Sequence, residues 1–527
     1  MLHMFTILAT LHIAFLVSLV VWRFHRPSSL PPGPRGWPII GNALQIPGTH
    51  QHVKFAEWAR QWGDVMSVSL FGRPMIILNS ATHAMEVLEK RSAISCSRYC
   101  TPVAGDMIGW STGMIFAPYG PRLREMRKLL AHVLATRQSV SRFHPLVEKE
   151  TRRFVQQLQG RSDSLVQDLR RLAGSIIIMM TYGYEVEGDD DPLIKTVDQV
   201  LEEYAQSVAP GAFLADTFPF LRYVPSWFPG AQWKRKVAEQ RKHLAHMNDI
   251  PFEWAKKRIS AGTALPSFTS MQLEDNPSAE KEELIKWTAA SLYGGMWLLR
   301  SSLTRTEAWP TGGADTTVSA ITSFFLAMIC FPEVQRKAQA EIDAVVGDDR
   351  LPTIQHRDQM PYMNALVLEV LRWLPVGPIG FAHQLVEDDI YEGYLLPKGA
   401  LVVANVWEIL HDPQTYSEPM VFNPDRFIST QERVAERDPR DLCFGFGRRK
   451  CPGNVFAEVS IFAACSMVLA VYSLSKFTKD GKTVEPLIEG TGALISHPLP
   501  FKMSVAVRSK KALALLHSMA MADGLKV

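Results

Sequence analysis

The chain has 527 residues, 47% of them apolar, and its formal net charge of +3 is close to neutral for this length. This balance gives no indication of nucleic-acid binding, and six cysteines are too few for a disulfide-stapled secreted scaffold. The cysteine usage favours a reducing compartment for the folded part. Because no repeat or low-complexity tract interrupts residues 50–508, we expect one large domain over most of the chain.

The N-terminus has the features of a membrane anchor. Residues 2–22 carry no Lys, Arg, Asp or Glu, and a bilayer-spanning helix needs about 20 mostly apolar residues. A cleaved signal peptide is the alternative, but its charged n-region and small-residue cleavage site are missing. Two arginines and a histidine follow within residues 23–26, and positive charge there places the bulk of the chain in the cytosol. We predict an anchor over residues 1–26 and a stiff, proline-rich spacer over residues 27–48.

The segment 444–453 (FGFGRRKCPG) carries the most chemical information. Its glycines and its Cys-Pro-Gly turn let the backbone approach a flat ligand closely. Three cations precede Cys451 and favour the thiolate, which is the metal-binding form. An apolar helix follows Gly453, and a nearby helix N-terminus also favours negative charge. A basic surface loop with a buried cysteine is the alternative, but the spacing Phe-x-x-Gly-x-Arg-x-Cys-x-Gly is too specific for it.

In this loop the chain resembles the cytochrome P-450 family, in which the cysteine supplies the axial thiolate of haem. The resemblance covers nearly the whole chain and implies a mainly α fold with a small β-rich lobe near the N-terminus. It implies a haem domain over residues 49–508 and a C-terminal tail over residues 509–527. By resemblance, Cys451 is the iron ligand of haem b, Arg449 pairs with a propionate, and Phe444 packs beside the sulfur.

Two further motifs stand in the order expected for that family. Glu369 and Arg372 are three residues apart and share a helix face, although such a pair alone is common and worth little. In the family this pair is buried and joined by the arginine of a Pro-Asp-Arg-Phe loop, which is Arg426 here. Because a buried carboxylate between two arginines is costly to break, we expect these residues to brace the haem-side core.

Two more residues match propionate partners of the family. His383 lies on a stretch expected to run beside the haem, with a surface histidine as the alternative. Arg127 fits the arginine of the family's Trp-x-x-x-Arg motif. Leu123 replaces the usual tryptophan, which removes an indole N–H donor.

Residues 312–317 (GGADTT) resemble the oxygen-binding helix signature of the family. Asp315 and Thr316 inherit the roles of the acid and alcohol that relay protons to dioxygen, and Ala314 leaves room for the ligand. A helix-capping box is the alternative, since Asp and Thr both start helices well. The apolar run that continues from Ile321 argues for an extended helix instead.

The 17 residues 296–312 match nothing in the family and interrupt that helix. They include Pro310, which costs a helix about 3 kcal/mol, and three charges where the helix should be buried. We predict a retained intron, because codons 295–297 can contain the donor GTATGT, codons 311–312 can contain a CAG acceptor, and excision keeps the frame. A genuine surface loop at a helix kink is the alternative. The donor signal hints at a fungal source.

Two apolar stretches indicate a lipophilic substrate. Residues 209–230 are rich in Pro and aromatic side chains and suit a membrane-surface entrance, with a packed irregular loop as the alternative. Residues 105–118 fall where relatives place a substrate loop. The composition resembles fungal secondary-metabolism members, which implies terpenoid or aromatic substrates.

The cations of residues 448–450 would steer an acidic redox partner. By resemblance, this partner is the NADPH-cytochrome reductase of the endoplasmic reticulum. The chain has no Gly-x-Gly-x-x-Gly after a strand, so we expect no nicotinamide site of its own.

These features together predict a monooxygenase that uses dioxygen and is held in the endoplasmic reticulum membrane by a single span, with its catalytic domain cytosolic. A haem-thiolate isomerase or dehydratase that needs no reductase is one alternative, but such an enzyme has no use for Asp315 and Thr316. A haem-binding product made inactive by residues 296–312 is the other.

Overall fold

The computed structural model describes residues 29–159, 162–186, 191–208, 212–295 and 315–522. The predicted anchor over residues 1–26 and the predicted insertion over residues 296–312 lie outside these ranges. The described chain forms two compact units.

The smaller unit comprises the chain up to Tyr99, Ile379–Ile409 and Phe446–Arg449. It contains a five-stranded sheet with the spatial order Val65–Leu70, Arg73–Leu78, Leu401–Ala404, His383–Gln384 and Ser97–Arg98. A hairpin joins Asp389–Tyr391 to Tyr394–Leu396, and the helices are Gln51–Trp62, Ala81–Ala84, Ser92–Ser95 and Val406–Leu410. This unit is the small β-rich lobe.

The register of this sheet follows from its apolar residues. Val65 lies opposite Leu78 in the antiparallel hairpin, and Met75 lies opposite Leu401 in the parallel pair. Ile76, Ile77 and Leu78 are completely buried, as expected for a strand that is covered on both faces.

The described part of the proline-rich segment belongs to this smaller unit. The backbone N–H of Ser67 donates to the carbonyl of Pro32, and its hydroxyl donates to the carbonyl of Pro31, both at 2.8 Å. The N–H of Asn42 donates to the carbonyl of Ser69 at 2.6 Å. Residues 31–42 are therefore attached to the first strand, whereas the sequence analysis expects a spacer there.

The larger unit comprises Cys100–Pro378, Leu410–Gly445 and Lys450–Val527. Its α-helices are Pro121–Leu134, Arg137–Ser141, His144–Gln157, Leu165–Tyr182, Pro192–Val208, Leu214–Thr217, Trp233–Ser260, Phe268–Leu273, Ala279–Gly295, Asp315–Cys330, Pro332–Val345, Pro361–Trp373, Arg440–Cys443, Asn454–Val471 and Lys510–Ala522. Two strand pairs complete it, Tyr472–Lys476 with Met503–Val507 and Thr478–Lys479 with Lys482–Thr483. The protein is thus mainly helical with small sheets.

The core of the larger unit is built on helices that are apolar on every side. Asn454–Val471 is long and apolar enough to cross a bilayer, but 83% of it is buried inside the fold, which makes it a core helix. The helix Asp315–Cys330 is buried from Thr317 to Ile329. The predicted C-terminal tail contains the helix Lys510–Ala522, whose Ala512, Leu516 and Met519 are buried.

Candidate active site

The cysteine loop is fixed by backbone geometry. Gly445 and Gly447 have φ of 77° and 54°, in the left-handed region that glycine adopts without strain. A Cβ atom at Gly447 would lie 2.6 Å from the carbonyl oxygen of Leu88. The N–H of Cys451 donates to the carbonyl of half-buried Phe444 at 2.8 Å and closes the loop. The helix Asn454–Val471 begins three residues after the cysteine.

The thiol of Cys451 is influenced by burial and by one nearby positive charge. The residue is exposed to solvent, yet enough protein surrounds it for burial to raise the pKa of its thiol. The backbone of Gly453 and the charge of Arg127 act in the opposite direction. The charge that favours the thiolate comes from Arg127 and not from the three cations that precede the cysteine in the sequence. A soft metal cation would complete the ionisation, because a coordinating thiol is deprotonated.

Arg127 lies on the helix Pro121–Leu134, and its Nη2 donates to the carbonyl of Lys450 at 3.0 Å. Burial lowers the pKa of Arg127, and the nearby Cys451 acts to raise it. Leu123, one turn earlier, is completely buried. The position of the missing tryptophan is therefore filled by an apolar core residue.

The smaller unit holds two neighbouring guanidinium groups. Nε of Arg449 donates to the carbonyl of Cys96 at 2.6 Å. Nη1 of Arg98 donates to the carbonyls of Phe381 and Ala382 at 2.5 and 2.8 Å. Burial, and then repulsion from Arg449, lowers the pKa of Arg98 to about 9. Two cations held together in this way favour an anionic ligand with two carboxylates. Arg98 belongs to none of the motifs found in the sequence.

His383 is buried beside the same two arginines. Its Nδ1 is 2.8 Å from the carbonyl oxygen of Ser95, and a carbonyl can only accept, so Nδ1 carries the proton. Burial and the charges of Arg98 and Arg449 hold the pKa of His383 well below its ordinary value. The ring is therefore neutral at neutral pH, and Nε2 can accept a hydrogen bond but cannot donate one.

Glu369 is the centre of a buried ion cluster in the larger unit. Its carboxylate accepts two hydrogen bonds from Arg372, at 2.7 and 2.8 Å, and one from Nε of Arg426 at 3.2 Å. It also accepts from the backbone N–H of Asn423 at 2.8 Å. Arg426 donates to Glu436 at 2.6 Å, a second carboxylate that the sequence analysis does not identify. The structure thus brings together the three residues predicted to form the brace.

Asp315 begins the helix Asp315–Cys330, and its carboxylate lies close to the side chains of a histidine and an arginine. Oδ2 is 2.9 Å from Nε2 of His497, and Oδ1 is 3.5 Å from Nη2 of Arg170. Burial acts to raise the pKa of Asp315, but the interactions with His497 and Arg170 outweigh it, so the pKa lies below its ordinary value. Neither partner belongs to a sequence motif. Thr316 follows in the helix and is half-buried.

The segment that carries His497 is attached to this helix one turn further on. The hydroxyl of Ser319 donates to the carbonyl of Ser496 at 2.6 Å, and the N–H of His497 donates to the hydroxyl of Thr491 at 3.2 Å. The side chain of His497 is 18% exposed and that of Asp315 is 9% exposed. The histidine therefore lies between solvent and the buried carboxylate.

The two predicted apolar stretches differ in their surroundings. Trp110, Met114 and Phe116 of the first stretch line a chamber together with the helices Trp233–Ser260 and Ala279–Gly295. The described residues of the second stretch, from residue 212, expose a group of large aromatic side chains between 50% and 78%: Phe218, Phe220, Tyr223, Trp227 and Phe228. Phe213 is buried instead.

The predicted basic patch is smaller than expected. Arg448 is exposed and Lys450 is half-buried, but Arg449 is buried and donates to Cys96. Including Arg449 in an exposed patch is therefore wrong, because its guanidinium is engaged inside the smaller unit. Within the described ranges, no group of three or more His, Cys, Asp or Glu side chains could hold a metal ion directly.

Comparison with known proteins gives extensive similarity. The model of the family "Cytochrome P450" matches residues 31–297 and 298–505. Cytochrome P450 monooxygenase 208 of Postia placenta is 47% identical over 521 residues, which cover 98% of each chain. Cytochrome P450 monooxygenase claR of Ampulloclitocybe clavipes is 41% identical, covering 93% of this chain and 89% of that one. Cytochrome P450 monooxygenase ppsD of Aspergillus oryzae is 39% identical, with 93% and 91% covered.

Proposed function

Because the chain belongs to the cytochrome P450 family of haem-thiolate monooxygenases, we propose that it is a membrane-bound enzyme of secondary metabolism that uses dioxygen to hydroxylate or otherwise oxidise a lipophilic small molecule. The observation that carries this proposal is the free, exposed Cys451 on a backbone loop that its own N–H closes onto Phe444. A free thiol on such a loop suits an iron macrocycle.

The residues fit haem b, and each would contribute in a different way. Cys451 would hold the iron, and thiolate ligation supplies the electron density that favours cleavage of the O–O bond. Arg98 and Arg449 would each pair with a propionate carboxylate, which would relieve their mutual repulsion. Arg127 would stabilise the negative sulfur. His383 would donate from Nε2 to a propionate in its protonated form, which a neighbouring carboxylate favours.

Proton delivery would depend on Asp315 and Thr316. The carboxylate of Asp315 would exchange a proton with Nε2 of His497, which lies 2.9 Å from Oδ2. The hydroxyl of Thr316 can accept and donate a proton. Arg170 keeps Asp315 ionised between transfers by stabilising its charged form.

The substrate in this proposal is a terpenoid or aromatic molecule that enters from the membrane. The exposed aromatic residues of the stretch 212–228 suit the bilayer interface, where aromatic side chains are enriched. Residues 1–26 would form the single membrane span in the endoplasmic reticulum, which leaves the catalytic part in the cytosol.

The electron donor in this proposal is the NADPH-cytochrome reductase of the same membrane. Family members need a redox partner, and positive charge on Arg448 and Lys450, next to the thiolate loop, would steer an acidic partner toward it. Dioxygen is the second co-substrate.

The experiment that tests the proposal is the reduced, carbon-monoxide-bound spectrum of the full chain, followed by a metabolite screen with reductase and NADPH. We expect a thiolate-type Soret band that Cys451→Ser abolishes, and oxidation of a terpenoid or aromatic compound that depends on reductase. Turnover without reductase would support a haem-thiolate isomerase or dehydratase instead.

The role of residues 296–312 is tested by comparing the full chain with a variant from which these residues are deleted. The family match is divided between Trp297 and Leu298, and the retained intron over residues 296–312 stays a hypothesis. A thiolate-type band that forms only after deletion of residues 296–312 would identify the present chain as an inactive variant. Genomic DNA without GTATGT at codons 295–297 would contradict the intron.

A further inference from the structure

A carboxylate of the smaller unit is hydrogen-bonded to the backbone of the cysteine loop. Oε2 of Glu89 accepts from the backbone N–H of Gly447 at 2.5 Å. Both residues belong to the smaller unit, and Glu89 is half-buried. Gly447 stands four positions before Cys451 in the sequence. Because a hydrogen bond to a charged acceptor is roughly twice as strong as a neutral one, this contact is suited to hold the loop.

Glu89 lies on a widened turn of a helical segment, Met85–Lys90. The N–H of Arg91 donates to the carbonyl of Glu86 at 3.1 Å, so this hydrogen bond spans five residues instead of four. Turns of this kind are rare and frequently occur at functional sites. The side chain of Glu86 pairs with Lys90 and Arg91 of its own segment. Glu89 is thus the carboxylate of this turn that reaches the cysteine loop.

Two further contacts fix the same part of the loop. A Cβ atom at Gly447 would lie 2.6 Å from the carbonyl oxygen of Leu88, so the glycine backbone packs directly on the helical segment. Two positions later, Nε of Arg449 donates to the carbonyl of Cys96 at 2.6 Å. The stretch from Gly447 to Arg449 is therefore held at both of its ends by residues 88–96.

We propose that Glu89 is a positioning residue for the proposed haem site and acts by fixing the backbone at Gly447. The fixed backbone determines where Arg449 presents its guanidinium group to a propionate and how the chain continues to Cys451. Partners of this kind, which orient the groups that hold a metal centre, typically change its affinity ten- to a hundredfold when they are removed. This inference rests on the proposed monooxygenase function.

The test compares three variants of the full chain loaded with haem. Glu89→Leu removes the acceptor, whereas Glu89→Gln keeps an acceptor oxygen and removes the charge. The matched control is Glu86→Leu, which removes a carboxylate of the same turn that pairs with Lys90 at 2.8 Å. The first measurement is the rate of haem transfer to apomyoglobin. The second is urea unfolding, followed by the thiolate-type Soret band of the reduced, carbon-monoxide-bound form and by circular dichroism.

We expect Glu89→Leu to release haem about tenfold faster than the wild type, which corresponds to about 1.4 kcal/mol. Glu89→Gln should stay within about threefold of the wild type, because its amide oxygen can still accept from the N–H of Gly447. Glu86→Leu should stay within about twofold, since it removes only a pair at the surface. Release from Glu89→Leu that is no faster than from Glu86→Leu would overturn the proposal, as would Glu89→Gln that releases haem as fast as Glu89→Leu.

Urea unfolding separates positioning of the loop from general stability. In Glu89→Leu the thiolate-type band should disappear at a lower urea concentration than the circular dichroism signal, because the loop is released before the fold is lost. Equal shifts of both transitions would show a purely structural role and would reject the proposal. A wild type without the band would reject the proposed function and this role with it. A wild type with the band, together with equal behaviour of Glu89→Leu and Glu86→Leu, would reject only the role of Glu89.

Discussion

Replacing Glu369 with glutamine should lower the free energy of unfolding of the larger unit more than a comparable substitution at the surface does. The substitution keeps the size of the side chain and removes its charge. Glu369 and Arg372 are completely buried, and Arg426 is 1% exposed. The guanidinium groups of Arg372 and Arg426 would then face a neutral amide. The NH₂ group of this amide would point at other donors and could not accept hydrogen bonds from them.

The expected loss of stability follows from the interactions that remain in the ion cluster after the substitution. Glu369 accepts four hydrogen bonds, three from the two arginines and one from the backbone of Asn423. After the change, Glu436 is the carboxylate that still pairs with Arg426, and Arg372 keeps the carbonyl of Leu410. Breaking a buried pair by removing one partner costs about 3–5 kcal/mol. This is a large part of the roughly 5–15 kcal/mol that stabilises a typical domain.

The assay is urea unfolding followed by circular dichroism, with the slope of the transition compared between variants. The matched control is Glu282→Gln, which removes the half-exposed pair of Glu282 with Lys256 at 2.6 Å. Such a pair is worth about 1 kcal/mol at most. If Glu369→Gln loses no more stability than Glu282→Gln at equal slope, the ion cluster does not brace the core and the reasoning is wrong.

Two further predictions concern the proposed haem partners and the acid. The variant Arg98→Gln should release haem to apomyoglobin roughly ten to a hundred times faster than the wild type, because a hydrogen bond to a charged group is worth about 1.5–3 kcal/mol. An unchanged rate of release would exclude Arg98 from propionate binding. The pKa of Asp315 is lowered in the folded chain, so its pairing stabilises the fold fully above the ordinary carboxyl pKa of about 3.9 and is lost as the pH falls toward the lowered value. Urea unfolding should therefore show a stability difference between wild type and Asp315→Asn that closes as the pH falls below about 4, whereas a difference that persists at low pH would contradict the ion pairs.

The sequence predicts those parts of the site that local spacing encodes. Glu369 and Arg372 are one helical turn apart, and the structure places both in a buried cluster with Arg426. The cysteine loop is similarly local, since its glycines and the Cys451 N–H determine its path. The membership of the chain in the cytochrome P450 family, which rests on these motifs, is confirmed by the comparisons.

The sequence does not predict partners that meet through tertiary folding. His497 lies 182 positions after Asp315 in a loop without a motif, and Arg170 comes from an ordinary amphipathic helix. Arg98 is likewise a single arginine on a two-residue strand. Position alone also does not reveal protonation: the proton on Nδ1 of His383 is assigned by the carbonyl of Ser95.

Asp315, the acid of the proposed proton relay, is held by side chains in the described part of the chain. Asp315 is held through its side chain by His497 and Arg170, and its helix is attached one turn later through Ser319 to Ser496. These contacts all come from residues outside the segment. We therefore expect these contacts of Asp315 to persist when residues 296–312 are deleted. The retained-intron hypothesis then predicts that the deletion restores haem chemistry without altering the stability that the contacts of Asp315 provide.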